Sequence, residues 1–299
     1  VEDFFKTLVT PTANRRQFLR AMAMALGAPV LARGSSLQQP LRVDVNLVNI
    51  FLTVQDPSGA FITGLNSTDF KVYEDGNEQN IAIFEKQNVP SAVGILLDNS
   101  LSMVDILPIM KSGLLEFARH KDSFRELFVM TFGATTRTFH DVGRPLGQLE
   151  SNLKQLGVQG TSVLFDALIV AMQKVRTREP ERKALIVFTD GIDTASKAGY
   201  RDVLLETQKS GVLLYFIPIG ARVLIDERTL DSLARDTGGR SIYLTKTQPV
   251  SPAIEEIRRD LDRQYYIGYY ARRAPGFHSI RVEVPGRNVR IRTKPGYYG

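Results

Sequence analysis

Two uninterrupted apolar runs, Val93-Gly94-Ile95-Leu96-Leu97 and Ala184-Leu185-Ile186-Val187-Phe188, each lead directly into an aspartate-bearing polar motif. Apolar runs with no polar alternation predict strands buried on both faces, as in a parallel sheet covered by helices. The motifs that follow are Asp98-Asn99-Ser100-Leu101-Ser102 and Thr189-Asp190-Gly191, with Gly160-Thr161-Ser162 between them in the chain. In open α/β sheets, ligands bind in the crevice beyond the carboxyl ends of the strands. The carboxylates of Asp98 and Asp190 and the hydroxyls of Ser100, Ser102 and Thr161 are therefore expected to converge on one point. An all-oxygen set without Cys or His suits a hard divalent cation, Mg²⁺ before Mn²⁺ or Ca²⁺.

The order Asp-x-Ser-x-Ser, then Thr in a Gly-Thr-Ser loop, then Asp-Gly after a buried strand resembles the metal-ion-dependent adhesion site of the von Willebrand factor type A domain. The resemblance implies that Ser100 and Ser102 bind the metal directly, with Thr161 joining when a ligand is present. Asp98 and Asp190 would often act through water, and one coordination position would be left for an acidic group of a partner. The flanks carry a narrower resemblance. Asp69-Phe70-Lys71-Val72-Tyr73-Glu74-Asp75-Gly76, Ile267-Gly268-Tyr269-Tyr270 and Lys294-Pro295-Gly296-Tyr297-Tyr298 are similar to segments around the A domain in related proteins described from acidobacteria. That family is defined by architecture, so it implies a fold more than a task.

The chain has no cysteine, which excludes disulfides and thiolate metal sites, and His120, His140 and His278 are its only histidines, a poor basis for zinc. Two of the six net positive charges fall within the first 32 residues. No Lys/Arg block is interleaved with aromatics, so nucleic acid is not an expected partner.

The segment Asn14-Arg15-Arg16-Gln17-Phe18-Leu19-Arg20 precedes the short apolar run Ala21–Gly27 and the small residues ending at Ala32. This pattern resembles a twin-arginine export signal over residues 1–32, an address for the periplasm or the exterior. Its apolar run is too short to span a bilayer, and no other segment approaches that length.

A linker at 33–41 leads to an alternating segment, 42–54, whose apolar phase changes near Leu47-Val48. Such a change predicts a β-bulge or a bend between sheets. Lys71–Tyr73 and Ile81–Phe84 are expected to flank the turn at Glu74–Asn77. From Val93 strands alternate with helices: strand 93–97, helix 104–119, hairpin 126–139, helices 146–156 and 163–177, strand 184–188, helix 200–209, strand 212–219, helix 227–235, strand 240–244 and helix 252–262. This order defines a Rossmann-like, doubly wound, mostly parallel sheet. The tail returns to strands at 265–270, 280–284 and 289–291. The expected architecture is a von Willebrand factor type A domain at 89–263 inserted into a smaller β-sandwich built from 42–88 and 264–299, with linkers near Gln87–Pro90 and Gln264. The alternative is that the tail extends the central sheet.

Near the motifs, Asp166 reads either as a group behind the metal ligands or as a helix residue bonded to a neighbouring loop, the latter favoured. Asp193 reads as a rim residue capping the helix that follows. His140 reads as a surface residue after a strand. The tyrosines of the tail read as core and edge packing. Phosphatases of the haloacid-dehalogenase type need a second aspartate two residues after the nucleophile, and Ser100 stands there instead. No phosphate-binding Gly-x-x-x-x-Gly-Lys-Ser/Thr loop and no Gly-x-Ser-x-Gly nucleophile elbow occurs. The sequence therefore points to an exported, non-enzymatic binding protein that engages a partner carboxylate through Mg²⁺. The competing readings are a structural or assembly factor of the cell envelope with a purely stabilising metal, and a metal-dependent phosphoesterase.

Overall fold

The structure is a computed structural model that describes residues 45–86, 89–119, 124–220, 226–272 and 274–299. The expected export signal at 1–32, the expected linker at 33–41, residues 42–44, Gln87 and His120 lie outside the described residues. Asp44–Gly299 form one compact unit.

Its centre is a six-stranded sheet built from β5 (Ser91–Asp98), β6 (Glu126–Phe132), β7 (Thr136–His140), β8 (Arg182–Thr189), β9 (Leu213–Pro218) and β10 (Arg240–Ser241), in the order β10-β9-β8-β5-β6-β7. All neighbours run parallel except the β6–β7 hairpin at one edge. Every residue of β5 and β9 is buried, as the apolar runs require. Helices α1 (Leu107–Arg119), α2 (Leu146–Gln155) and α6 (Ser251–Asp262) put residues such as Leu114, Leu149 and Ile257 against one face. Helices α3 (Leu164–Arg176), α4 (Tyr200–Ser210) and α5 (Glu227–Thr237) cover the other through Leu168, Val203 and Leu233. At the middle of β5, a Cβ on Gly94 would stand 2.4 Å from the Phe128 ring, so only glycine lets that ring fill the space beside the strand.

Strands from both ends of the unit form two further sheets. One has the order β13-β1-β11-β4, from β13 (Arg290–Arg292), β1 (Val45–Gln55), β11 (Tyr265–Arg272) and β4 (Ile81–Lys86). The other has the order β14-β12-β2-β3, from β14 (Gly296–Tyr298), β12 (Phe277–Glu283), β2 (Lys71–Glu74) and β3 (Asn77–Gln79). All pairs in both sheets are antiparallel, and the tail does not extend the central sheet. The two sheets enclose a core of Ile50, Leu52, Val54, Val72, Ile267, Tyr269 and Ile280.

Several local expectations change. No bulge interrupts β1, whose register with β11 runs unbroken from Val45 to Leu52. The phase change arises because the strand is apolar on both sides. Val48, Ile50, Leu52 and Val54 face the sandwich core, while Phe51 faces the helical layer beside Tyr266, their rings stacked at 5.0 Å. The register irregularity lies instead at Gly268/Tyr269 against β4. The Glu74–Asn77 turn pairs β2 with β3, not with residues 81–84, because Asp75 (φ 48°) and Gly76 (φ 82°) make a two-residue hairpin turn. β4 then crosses to the other sheet. The helix expected from 104 begins at Leu107, after a 3-10 turn at Leu101–Met103. Gln264, near which a linker is expected, is buried, and its Nε2 donates to the Tyr215 hydroxyl at 3.3 Å.

Candidate metal centre

Asp98 is the last residue of β5, between β6 and β8, and is 0% exposed. Its Oδ1 accepts the Ser100 amide at 2.9 Å and its Oδ2 accepts the Thr189 hydroxyl at 2.9 Å. The same Thr189 oxygen accepts the Gly191 amide at 3.0 Å, which turns the chain sharply after β8; Gly191 takes φ 81° there. Asp190, 8% exposed, accepts the Ile192 amide at 3.0 Å. Ser100 and Ser102 bring their hydroxyls to 3.0 Å from each other.

The second loop is fastened to the first by its backbone. Gln159 donates to the Asn99 carbonyl at 2.6 Å, Leu101 donates to the Gly160 carbonyl at 3.2 Å, and the Asn99 side chain donates to the Gly157 carbonyl at 2.9 Å. Thr161 follows immediately and is exposed, whereas Ser162 is buried. Ser162 ties the second loop to the third: its carbonyl accepts from the Thr194 and Ala195 amides, both at 3.0 Å. All three loops thus meet at the carboxyl end of the central sheet, carrying Asp98, Ser100, Ser102, Thr161 and Asp190 to one edge.

Burial raises the Asp98 carboxyl to about 6, and the Asp190 charge adds to that effect against hydrogen bonds from Ser100 and Thr189. Among the described residues no cationic side chain forms an ion pair with Asp98, whose hydrogen-bond partners are Ser100 and Thr189. The arrangement is therefore short of positive charge, and its donors are all hard oxygens, so a divalent cation fits it.

Of the neighbouring residues, Asp166 is a helix residue that accepts the Lys197 and Ala198 amides at 3.0 and 2.8 Å. Asp193 does not cap the following helix. It accepts the Phe165 amide at 2.9 Å and so caps the preceding α3, whose first-turn amides point at the third loop. His140 is buried rather than a surface residue, and that burial lowers its basicity. Thr189 and Asn99 hold the site in shape without belonging to the expected ligand set; their places inside the motifs were the only sequence signal of that role.

A second titratable cluster joins Glu74, Asp75 and His278 in the sandwich. Its groups already satisfy one another: His278 Nδ1 lies 2.7 Å from Asp75, His278 Nε2 lies 3.0 Å from the Ala274 carbonyl, and Glu74 accepts from Tyr269 and Tyr297 at 2.5 and 3.1 Å. This is a clamp between β2 and β12.

Residues 93–192 match the family model of the von Willebrand factor type A domain. A structure of proximal thread matrix protein 1 from the mussel byssus, with a zinc-occupied MIDAS motif, is similar at TM-score 0.51 and 15% identity, over 64% of this chain and 50% of that one. The vWF domain of the type V pili tip protein Mfa5 from Porphyromonas gingivalis is similar at TM-score 0.51 and 11% identity, over 57% of this chain and 95% of that one. At these identities the likeness shows the fold: the central unit is a von Willebrand factor type A fold, with the antiparallel sheets added. No curated protein matches the chain.

Proposed function

We propose that this chain is a non-enzymatic binding protein acting outside the cytoplasm, which holds Mg²⁺ at Asp98, Ser100, Ser102, Thr161 and Asp190 and engages a carboxylate of a protein partner. The observation that carries this reading is the uncompensated charge of Asp98, wholly buried with Asp190 beside it and no cation from the described residues. Two carboxylates and neutral hydroxyls around a 2+ ion leave it electrophilic enough to take an anion from outside. Mn²⁺ and Ca²⁺ offer the same hard chemistry, and the zinc of the mussel protein makes Zn²⁺ a fourth ion to compare.

The loops carry their own backbone ties, Asn99 to Gln159 and Ser162 to Thr194, so an ion is not required merely to fasten them. That favours the binding role over the purely stabilising one. For phosphoester hydrolysis the site lacks a general acid, since Ser100 stands where a second aspartate would serve. Placement outside the cytoplasm rests on the Arg15-Arg16 motif alone.

The test is calorimetric titration of the metal-free protein with Mg²⁺, then capture of partners from envelope extract with and without chelator. Metal uptake lost in Asp98→Ala, together with chelator-sensitive capture, is the expected result. No uptake in the wild type defeats the metal assignment. Uptake with chelator-insensitive capture leaves only the stabilising role, and turnover of generic phosphoesters would replace binding with catalysis.

A further inference from the structure

Beside the metal loops lies a cavity of about 320 Å³, walled by Thr131 of β6, Arg137 and Phe139 of β7, Gln155 at the end of α2, and Gln159. Its lining holds no carboxylate. Among the described residues no acidic group pairs with Arg137, although Arg119 and Arg125 pair with Glu150 and Glu179. The cavity thus offers an exposed guanidinium, carboxamides and a hydroxyl over an aromatic wall, the chemistry of a carboxylate acceptor.

Its position relative to the metal follows from strand register. Leu97, the neighbour of Asp98, pairs with Thr131, and Thr131 pairs with Arg137 across the hairpin. The Arg137 backbone therefore stands two strands, about 10 Å, from that of Leu97. Gln159 connects the two places: it lines the cavity, bridges to Ser100, and lies two residues before Thr161. An extended peptide rises about 3.3 Å per residue, so a span of about 10–15 Å separates side chains three to five positions apart.

We infer that this cavity is a second anion subsite, in which Arg137 receives another acidic side chain of the same partner segment that gives its carboxylate to the metal. The inference rests on the metal-binding reading above. The occupant is an acidic peptide with two carboxylates about four residues apart, and the subsite selects partners by that spacing.

Fluorescence anisotropy of the full chain in Mg²⁺ tests this with labelled Gly/Ser peptides carrying one glutamate, or two glutamates about two, four or eight positions apart. The peptide with the middle spacing should bind about tenfold more tightly than the single-glutamate peptide, an avidity effect of linked sites. Arg137→Ala should remove that gain and leave single-glutamate binding unchanged. Arg137→Glu should transfer the preference to a peptide with lysine at the second position. Equal effects of all spacings, or a gain that survives Arg137→Ala while binding stays chelator-sensitive, overturns the subsite alone. Binding of every peptide that survives both chelator and Asp98→Ala, or no binding at all, removes the metal reading and the subsite together.

Discussion

Two aspartates of this molecule are equally inaccessible and are treated in opposite ways. Asp98, at the carboxyl end of the central sheet, has only hydroxyl and amide donors around it. Asp260, on α6 at the junction with the sandwich, is also 0% exposed but meets two guanidiniums: Arg240 at 2.8 and 3.1 Å, and Arg292 of β13 at 2.5 Å. Arg240 also pairs with Glu256, and nearby Arg182, itself buried, donates to the Leu261 carbonyl. The second arrangement is closed around Asp260, whose charge is answered by two guanidiniums from within the chain. The first is open: burial without an internal counter-charge raises the Asp98 carboxyl, and the proposed metal would supply the missing positive charge.

The comparison is broken most forcefully by separating the two ends. Residues 89–263 alone keep the three loops but lose Phe51, Tyr266 and Arg292, which cover the helical layer and answer Asp260. Burying each aromatic contributes about 1.5–3 kcal/mol. The fragment should therefore be markedly less stable to urea than the full chain, while any folded fraction still takes up Mg²⁺. Equal stability would make residues 89–263 an independent domain and the junction a mere contact.

Within the full chain, Asp260→Ala strands the Arg292 guanidinium and leaves Arg240 with Glu256 alone, and should cost about 3 kcal/mol in urea unfolding. Asp98→Asn in metal-free protein strands no cation and should cost much less. A reversal of that order would abolish the distinction between closed and open sites. Saturating Mg²⁺ should act only at the open end. At about a hundred times the dissociation constant it adds roughly 2.7 kcal/mol. Thermal unfolding should show the gain in the wild type and in Arg137→Ala, and lose it in Asp98→Ala and Asp190→Ala.

The smallest effect sharpens the contrast with a third, partly exposed cluster. Its hydrogen bond to Asp75 holds His278 above the ordinary imidazole range, and the same bond holds Asp75 below the ordinary carboxylate range. Glu74, Tyr269 and Tyr297 are the other titratable groups facing it. A raised histidine contributes fully below about 6.5 and loses its contribution as pH rises through its higher value. A lowered aspartate contributes fully above about 3.8 and loses it as pH falls through its lower value. The clamp is thus strongest between those limits. Exchange of the Ser279 amide, which donates to Asp75 at 2.8 Å, should quicken as pH rises above that window, beyond the intrinsic base-catalysed trend. In an NMR titration, His278 and the buried His140 should titrate on opposite sides of the ordinary value.

The central fold was legible because short unbroken runs such as Val93–Leu97 and Ala184–Phe188, each followed by a polar turn motif, read as strands buried on both faces. The candidate site was legible for the same reason, since its motifs sit where those strands must end. Other features were not. The two-sided burial of β1 mimicked a bulge, because alternation in one strand cannot tell which of two cores each face meets. Asp193 capped the preceding helix because a loop folded back across the site can reach a helix start 28 residues earlier as readily as the next one.

What the sequence by itself determined was therefore local: the identity of the strands, the order of the polar motifs, and an oxygen-only donor set. Those depend on periodicity and on residues close in the chain. Only the tertiary structure decided which charges are answered. Arg240, Asp260 and Arg292 belong to separate elements and meet through packing, while Asp98 and Arg137, only two strands apart, are each left without an ionic partner among the described residues. Charge compensation depends on distance through space and on burial, and neither quantity is written in the spacing of residues along a chain.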